Sequence, residues 1–171
     1  MELGIKLKVM PKIGILSDTH LRYPTDQFKR FVDKTFGNTD MLIHAGDIVS
    51  LEVYDFLSKF NLKAVCGNMD DLELRSVLPE KLTFQFAGIR FGLIHGRGSP
   101  FGIEEIVLRE FENVDVIIFG HSHVPISKKK GKIHLFNPGS FRKPYTPPGT
   151  VGVCKIEEGG FAFDHLPVTE A

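Results

Sequence analysis

Tryptophan is missing from the 171-residue chain, cysteine occurs only twice, and neither sign of charge prevails, since 21 basic residues face 21 acidic ones. Each scarcity excludes something. Cys66 and Cys154 share no C-x-x-C spacing and are too few for a disulfide framework, which fits a reducing compartment and a cytoplasmic protein. A formal charge of zero removes the electrostatic footprint of a general nucleic-acid binder, so a phosphate-bearing ligand has to be held locally. No run of 18 apolar residues exists, and Lys6, Lys8 and Lys12 interrupt the N-terminal apolar positions, so neither a membrane span nor a signal-peptide core is expected. What is present is ordinary for a globular protein: 42% hydrophobic and 25% charged residues, in a length that makes one domain, 1–171, with a core of its own.

From Lys12 the chain alternates short β-rich runs with helical patterns. "KIGIL" (12–16), "MLIHA" (41–45) and "LKAVC" (62–66) read as strands. Between them, "DQFKRFVDKTF" sets Phe28, Phe31, Val32, Thr35 and Phe36 at helical spacing, with Thr25 or Asp26 as its cap, and "LEVYDFLSKF" (51–60) is a second helix. This alternation predicts a parallel βαβαβ half. The second half differs. "KLTFQFAGIRFGLIH" (81–95) is a hairpin turning at Ala87-Gly88, "IEEIVLREF" (103–111) a helix with Glu104 and Glu105 in its first turn, and "VDVIIFG" a strand. Two more hairpins follow, turning near Lys130-Gly131 and Gly159-Gly160. The expected assembly is an α/β sandwich of two facing mixed sheets flanked by helices. Leu3, Ile5, Leu7 and Val9 alternate along one face, so residues 1–9 either add an edge strand, open to pairing with a second copy in a homo-oligomer, or precede a natural start at Met10. "KPYTPPGT" (143–150) is the one Pro-rich loop.

Polar residues gather just beyond the strands. After "KIGIL" come Asp18 and His20; after "MLIHA", Asp47; after "LKAVC", Asn68; after "RFGLI", His95; and after "VIIF", His121 and His123. Open α/β sheets collect their ligands at the carboxyl ends of strands. In extended backbone, residues two apart point the same way, so Asp18 with His20 and His121 with His123 can each form a pincer. Oxygen and imidazole without thiolate suit manganese, iron, zinc, nickel or cobalt. Seven candidate ligands exceed one tetrahedral site and suggest two divalent ions, manganese foremost, with one carboxylate shared.

"SDTH", "HAGDIV", "GNMDD", "IHG" and "GHSHVP" stand in the order seen in calcineurin-like metallophosphoesterases, and "FNPGS" makes the chain resemble the small bacterial and archaeal phosphodiesterase branch of that superfamily. The series spans residues 13 to 140. The resemblance implies that Asp18, His20 and His123 hold one metal, that Asn68, His95 and His121 hold the other, and that Asp47 bridges them. It also implies a hydroxide between the ions that attacks phosphorus in line with the leaving group. Asp47, Asn68 and His95 are then the catalytic residues. In one respect the chain departs from larger relatives: they read G-N-H-[ED], and here Met69 replaces that histidine. A thioether donates no proton, which disfavours alkyl monoesters and favours small phosphodiesters.

Competing readings stand beside these. His44, His134 and His165 read as structural histidines, with His44 placed to orient a ligand by hydrogen bonding. Asp70 and Asp71 read as turn residues. Arg22 and Arg97 follow ligand motifs and are candidate substrate contacts, against the alternative of solvated surface arginines. The resemblance includes a scaffold subunit of the retromer coat with the same fold, a degraded site and no asparagine in its G-N-x-D motif; Asn68 is retained here. A nuclease acting on short oligonucleotides is the third reading, and its binding would weaken steeply with salt.

Overall fold

The computed structural model describes residues 10–142 and 148–169. The edge strand and intermolecular contact expected of residues 3–9 fall outside them, as does residues 143–147 of the Pro-rich loop. The chain runs β1 (Lys12–Leu16), α1 (Asp26–Phe36), β2 (Met41–His44), α2 (Leu51–Leu57), β3 (Leu62–Ala64), α3 (Leu72–Val77), β4 (Lys81–Phe86) and β5 (Ile89–Ile94). It continues with α4 (Ile103–Leu108), β6 (Val116–Phe119), β7 (Ile126–Lys130), β8 (Ile133–Asn137), β9 (Thr150–Glu157) and β10 (Gly160–Pro167).

Two mixed sheets result, with strand orders β10-β9-β1-β2-β3 and β4-β5-β6-β8-β7. The pairs β1–β2, β2–β3, β5–β6 and β6–β8 are parallel, and the hairpins β4–β5, β7–β8 and β9–β10 are antiparallel. The sheets face each other across a core of Ile13, Ile15 and Ile43 from one and Phe91, Leu93, Val116 and Ile118 from the other. Strand alternation turns Leu16 and Leu42 outward, where Phe28, Val32 and Phe36 of α1 cover them. On the far face, Ile103 and Val107 of α4 pack over Ile117 and Phe119. This is the expected sandwich of two facing sheets between helices.

Local chemistry accounts for the elements. Thr25 caps α1 by accepting the Phe28 N–H at 3.2 Å, and Phe28, Phe31, Val32 and Phe36 form its buried stripe. The β4–β5 hairpin turns on Ala87 (φ 48°) and Gly88 (φ 84°), the left-handed pair that a two-residue loop requires.

Several boundaries differ from expectation, by a single residue at the ends of β2 and β5 and by more at α2, α4 and β3. The helices α2 and α4 stop at Leu57 and Leu108 rather than at residues 60 and 111, because Phe60, Arg109 and Glu110 N–H bond three residues back, tightening the last turn. The strand β3 ends at Ala64 because Cys66 N–H turns away to the Pro79 carbonyl at 2.9 Å. Helix α3 was not expected at all: only Leu74 of its six residues is buried, so it carries no periodic signal.

Candidate metal centre

Every candidate ligand stands just past a strand end, where the chain bends sharply. Asp18 (φ 53°), His20 (φ 49°), Asp47 (φ 58°), His121 (φ 67°) and His123 (φ 57°) all adopt left-handed backbone, a conformation that side-chain-bearing residues rarely take. Strain of this kind persists only where the surroundings enforce it, and it concentrates at functional sites. Here the loops hold one another: Asp18 N–H donates to Gly46 O at 3.0 Å, His20 N–H to Asp47 O at 3.2 Å, and Asp71 N–H to Val49 O at 3.0 Å. The extended-backbone pincer is therefore replaced by turns. Asp18 and His20 still converge, at 3.7 Å, whereas His121 and His123 diverge to different partners.

Two groups of side chains result: Asp18, His20 and His123 in one, and Asp18, Asp47 and His95 in the other, each with its ligand atoms within 4.8 Å of one another. In the first, His20 Nε2 and His123 Nε2 approach to 3.3 Å, and His123 Nε2 lies 3.0 Å from Asp18 Oδ1. In the second, His95 Nε2 lies 3.3 Å from Asp47 Oδ2, which is also 3.8 Å from His20 Nε2. Asp47 Oδ2 thus faces both groups.

Hydrogen bonds set which atoms remain available. His95 Nδ1 lies 2.8 Å from the Ala45 carbonyl, which can only accept, so Nδ1 carries the proton and Nε2 presents a lone pair. That Nε2 and Asp18 Oδ1 are buried and neither makes a well-aligned hydrogen bond, although His123 Nε2 lies 3.0 Å from the carboxylate oxygen. Asp18 Oδ2 is taken by the Ser17 hydroxyl at 2.5 Å and His121 N–H at 3.2 Å, and Asp47 Oδ1 by Met69 N–H at 2.8 Å. His121 Nε2 donates to Gly98 O at 2.8 Å, so in the neutral ring its Nδ1 lone pair meets Asn68 Oδ1 at 3.1 Å. Two acceptors cannot bond to each other; either the amide turns its nitrogen inward or a cation takes both lone pairs.

Buried acceptors aimed at a common point cost free energy unless something satisfies them. The donor set of carboxylate, imidazole and amide oxygen fits divalent cations, and the chemistry of these residues passes that test. Asp18, His20, His123, Asp47 and His95 would hold such ions, with Asn68 and His121 adjoining through the contact of His121 with Asn68 and of its ring with His95, 5.2 Å between centroids.

The electrostatics agree. Burial would raise the Asp18 carboxyl, yet the His123 and His20 imidazoles beside it hold it far below the usual range. Burial likewise opposes ionisation of Asp47, but His95 and the Met69 N–H keep its carboxyl low. His95 is raised despite burial by Asp47 and Asp18, and His123 is raised by Asp18. His44 goes the other way, pushed by burial down to about 3. It accepts Gly46 N–H on Nδ1 at 3.2 Å and donates from Nε2 to Thr19 Oγ1 at 2.5 Å, orienting both ligand loops as expected.

Asp70 ties the turn at Gly67 to the loop at Val49 by accepting both N–H groups, at 2.7 and 2.6 Å, in keeping with its structural reading. Asp71 precedes α3 without a side-chain capping bond. Among the candidate substrate contacts, exposed Arg22 lines a cleft with His20, and Arg97 lines a different cleft with Asn68 and His95 while donating to Glu110 at 3.0 Å. Two residues were missed. Asn137, fully buried, donates to Gly120 O at 2.8 Å and Ser122 Oγ at 3.2 Å, and Ser140 donates to Asp18 O at 3.1 Å. Their signal was "FNPGS" itself: polar side chains ending a buried strand need partners, and here the partners are the ligand loops.

Comparisons with known proteins give the family and the fold. The chain is 35% identical over 152 residues to a probable metallophosphoesterase of Methanocaldococcus jannaschii, covering 85% of this chain and 76% of the relative. A protein of the same organism named as a phosphodiesterase is 26% identical over 162 residues, 86% of this chain and 94% of the other. Among solved structures, Vps29 of Chaetomium thermophilum superposes with a TM-score of 0.67 at 21% identity, covering 94% of this chain and all of that one, a likeness of fold. Among the described residues no helix is long and apolar enough to cross a membrane. Residues 11–159 match the calcineurin-like phosphoesterase superfamily domain, and the chain belongs to that family.

Proposed function

We propose that the protein is a phosphodiesterase acting on small phosphodiesters with two divalent ions at the strand ends. The observation that carries this reading is the convergence of Asp18, Asp47 and His95, whose buried Asp18 Oδ1 and His95 Nε2 make no well-aligned hydrogen bond. Ions held there would supply Lewis acidity, lowering the pKa of water and neutralising charge on the phosphoryl group. The chain's own residues do the rest. Met69 N–H holds Asp47 Oδ1, which leaves Oδ2 toward the imidazoles of His95 at 3.3 Å and His20 at 3.8 Å. His95 is oriented through Ala45 O, and Asn68 with His121 closes the side nearer Gly98.

The Met69 side chain is 57% exposed and has no proton to give, so a leaving alkoxide receives none from this position. Diesters with stable leaving groups suffer least, and a relative named as a phosphodiesterase supports that choice. Manganese is the preferred ion, with nickel, iron, cobalt or zinc also compatible with the donor set.

The test is hydrolysis of bis-p-nitrophenyl phosphate by metal-stripped protein, with and without manganese or nickel, beside Asp47→Asn. Metal-dependent turnover that the substitution abolishes is expected. Tight binding of two ions without turnover of this diester or of p-nitrophenyl phosphate would replace the enzyme with a scaffold on the same fold. Steep loss of substrate binding with rising salt would favour the oligonucleotide reading.

A further inference from the structure

Two clefts border the candidate metal centre, and they share no lining residue. The one reached through Asn68 and His95, about 350 Å³, is lined by charges of both signs. Glu110 accepts from both Lys81 and Arg97 at 3.0 Å, and Glu80 and Arg75 belong to the same lining. The cleft reached through His20 is larger, about 540 Å³, and of another character. It holds Arg22 and Arg142, and no carboxylate among its described lining residues.

Aromatic rings form its remaining wall. The Phe141 ring is clamped by Phe28 at 5.0 Å and 85° and by Phe31 at 5.5 Å and 69°, which fixes its orientation. Tyr23 projects 63% exposed at the mouth. The backbone delivers these groups to the centre: Phe141 N–H donates to Ser17 O at 3.0 Å, and the Arg142 guanidinium donates to His20 O at 3.3 Å. Two guanidiniums with no carboxylate partner among the described residues, and two rings in the same lining, beside a phosphate-handling centre match an anionic group carrying a flat heterocycle.

We infer that the cleft formed by Arg22, Tyr23, Phe141 and Arg142 receives a nucleoside arm of the phosphodiester, with the base against the rings and the arginines turned to the phosphate. The inference rests on the phosphodiesterase reading for the position of the phosphate. A nucleoside arm belongs either to a mononucleoside ester or to the end of a short oligonucleotide. The shared chemistry is a base with its 5′-phosphate.

The test is calorimetric titration of the zinc-loaded full chain with adenosine 5′-monophosphate and with ribose 5-phosphate, which differ only in the base. The expected result is about tenfold tighter binding of the nucleotide, a preference that Tyr23→Ala reduces to about threefold or less, whereas Arg142→Ala weakens both ligands alike and leaves the preference unchanged. A melting curve of each variant confirms that it is folded. Equal affinity for the two ligands in the parent protein overturns the inference, and so does a preference that survives Tyr23→Ala or ligand affinities that Arg142→Ala leaves unchanged. A dinucleotide carrying a 5′-phosphate separates the sources: tighter binding than the mononucleotide assigns the cleft to an oligonucleotide end, and equal or weaker binding assigns it to a mononucleoside ester. If the base preference holds but no diester is hydrolysed, the catalytic reading fails and the cleft assignment stands. If diesters are hydrolysed and the two ligands bind alike, the cleft assignment alone fails.

Discussion

Gly67 lies flat against Asp47: a Cβ added at Gly67 would overlap the Asp47 carboxylate and come within 2.5 Å of its backbone nitrogen. A side chain at this position therefore has nowhere to go without moving the carboxylate that faces both ligand groups. Overpacking of this kind costs about 1–3 kcal/mol, and misplacing a reacting group by about 1 Å costs on the order of 100-fold in rate. Gly67→Ala is expected to remain folded, to lose stability of that order in urea titration, and to lose about 100-fold of metal-dependent diester turnover. Parent-like turnover would mean that Asp47 tolerates displacement and does not bridge.

Stripping the metal should loosen the whole fold, because the ligand loops stem from five strands in both sheets. An ion at about 100 times its Kd stabilises by about 2.7 kcal/mol, which for a chain of this size raises Tm by about 5–10 °C. Differential scanning calorimetry with excess chelator, then with manganese, nickel or zinc restored, measures the shift. Coincident melts under all conditions would remove the metal centre.

Protons and metal should compete at His95 and His123. Both imidazoles are raised above the ordinary value of 6.5 by Asp47 and Asp18. A group raised on folding contributes stability that is complete below its unfolded pKa and is lost as pH rises through its folded pKa. The stripped protein should therefore lose stability as pH rises above about 6.5, while the carboxylates, lowered on folding, contribute a constant amount over that range. Metal binding requires neutral imidazole, so the stabilisation that added zinc provides should grow over the same range. Melting curves at several pH values, with and without zinc, report both trends; parallel trends would contradict the shared site.

How far the sequence carries the fold depends on the range of the signal. Strand ends and the α1 stripe are local, since Ile13, Ile15, Phe28 and Phe36 declare their burial by period alone. The seven candidate ligands stand out as polar side chains after apolar runs, and the resemblance also groups Asp18, His20 and His123 as the structure does. The place of Asp18 beside Asp47 and His95 was not legible. Asp18 reaches both groups through a left-handed turn, and no periodicity encodes that bend. The bond from His121 to Gly98 O and the support from Asn137 likewise depend on contacts between loops distant in sequence.

Asn137 offers the sharpest test of that support. Its amide nitrogen donates to Gly120 O at 2.8 Å, its Oδ1 accepts Gly139 N–H at 2.9 Å, and its own carbonyl is held by His165 Nε2 at 2.7 Å. Asn137→Ala leaves the Gly120 carbonyl and the Gly139 N–H without this partner in a buried place, and each such loss costs about 1–3 kcal/mol. The expected total is about 2–6 kcal/mol, together with weaker metal binding, because the turn carrying His121 and His123 begins at Gly120. Asn61 makes a fair comparison: its amide donates to Asp40 O at 2.9 Å on the exposed surface. There water replaces the lost partner, so Asn61→Ala should cost under about 1 kcal/mol and leave metal affinity unchanged. Urea titration and zinc calorimetry on both variants separate the two cases. If Asn137→Ala resembles Asn61→Ala in both measurements, the ligand turn is held by its own backbone rather than by the strand end behind it.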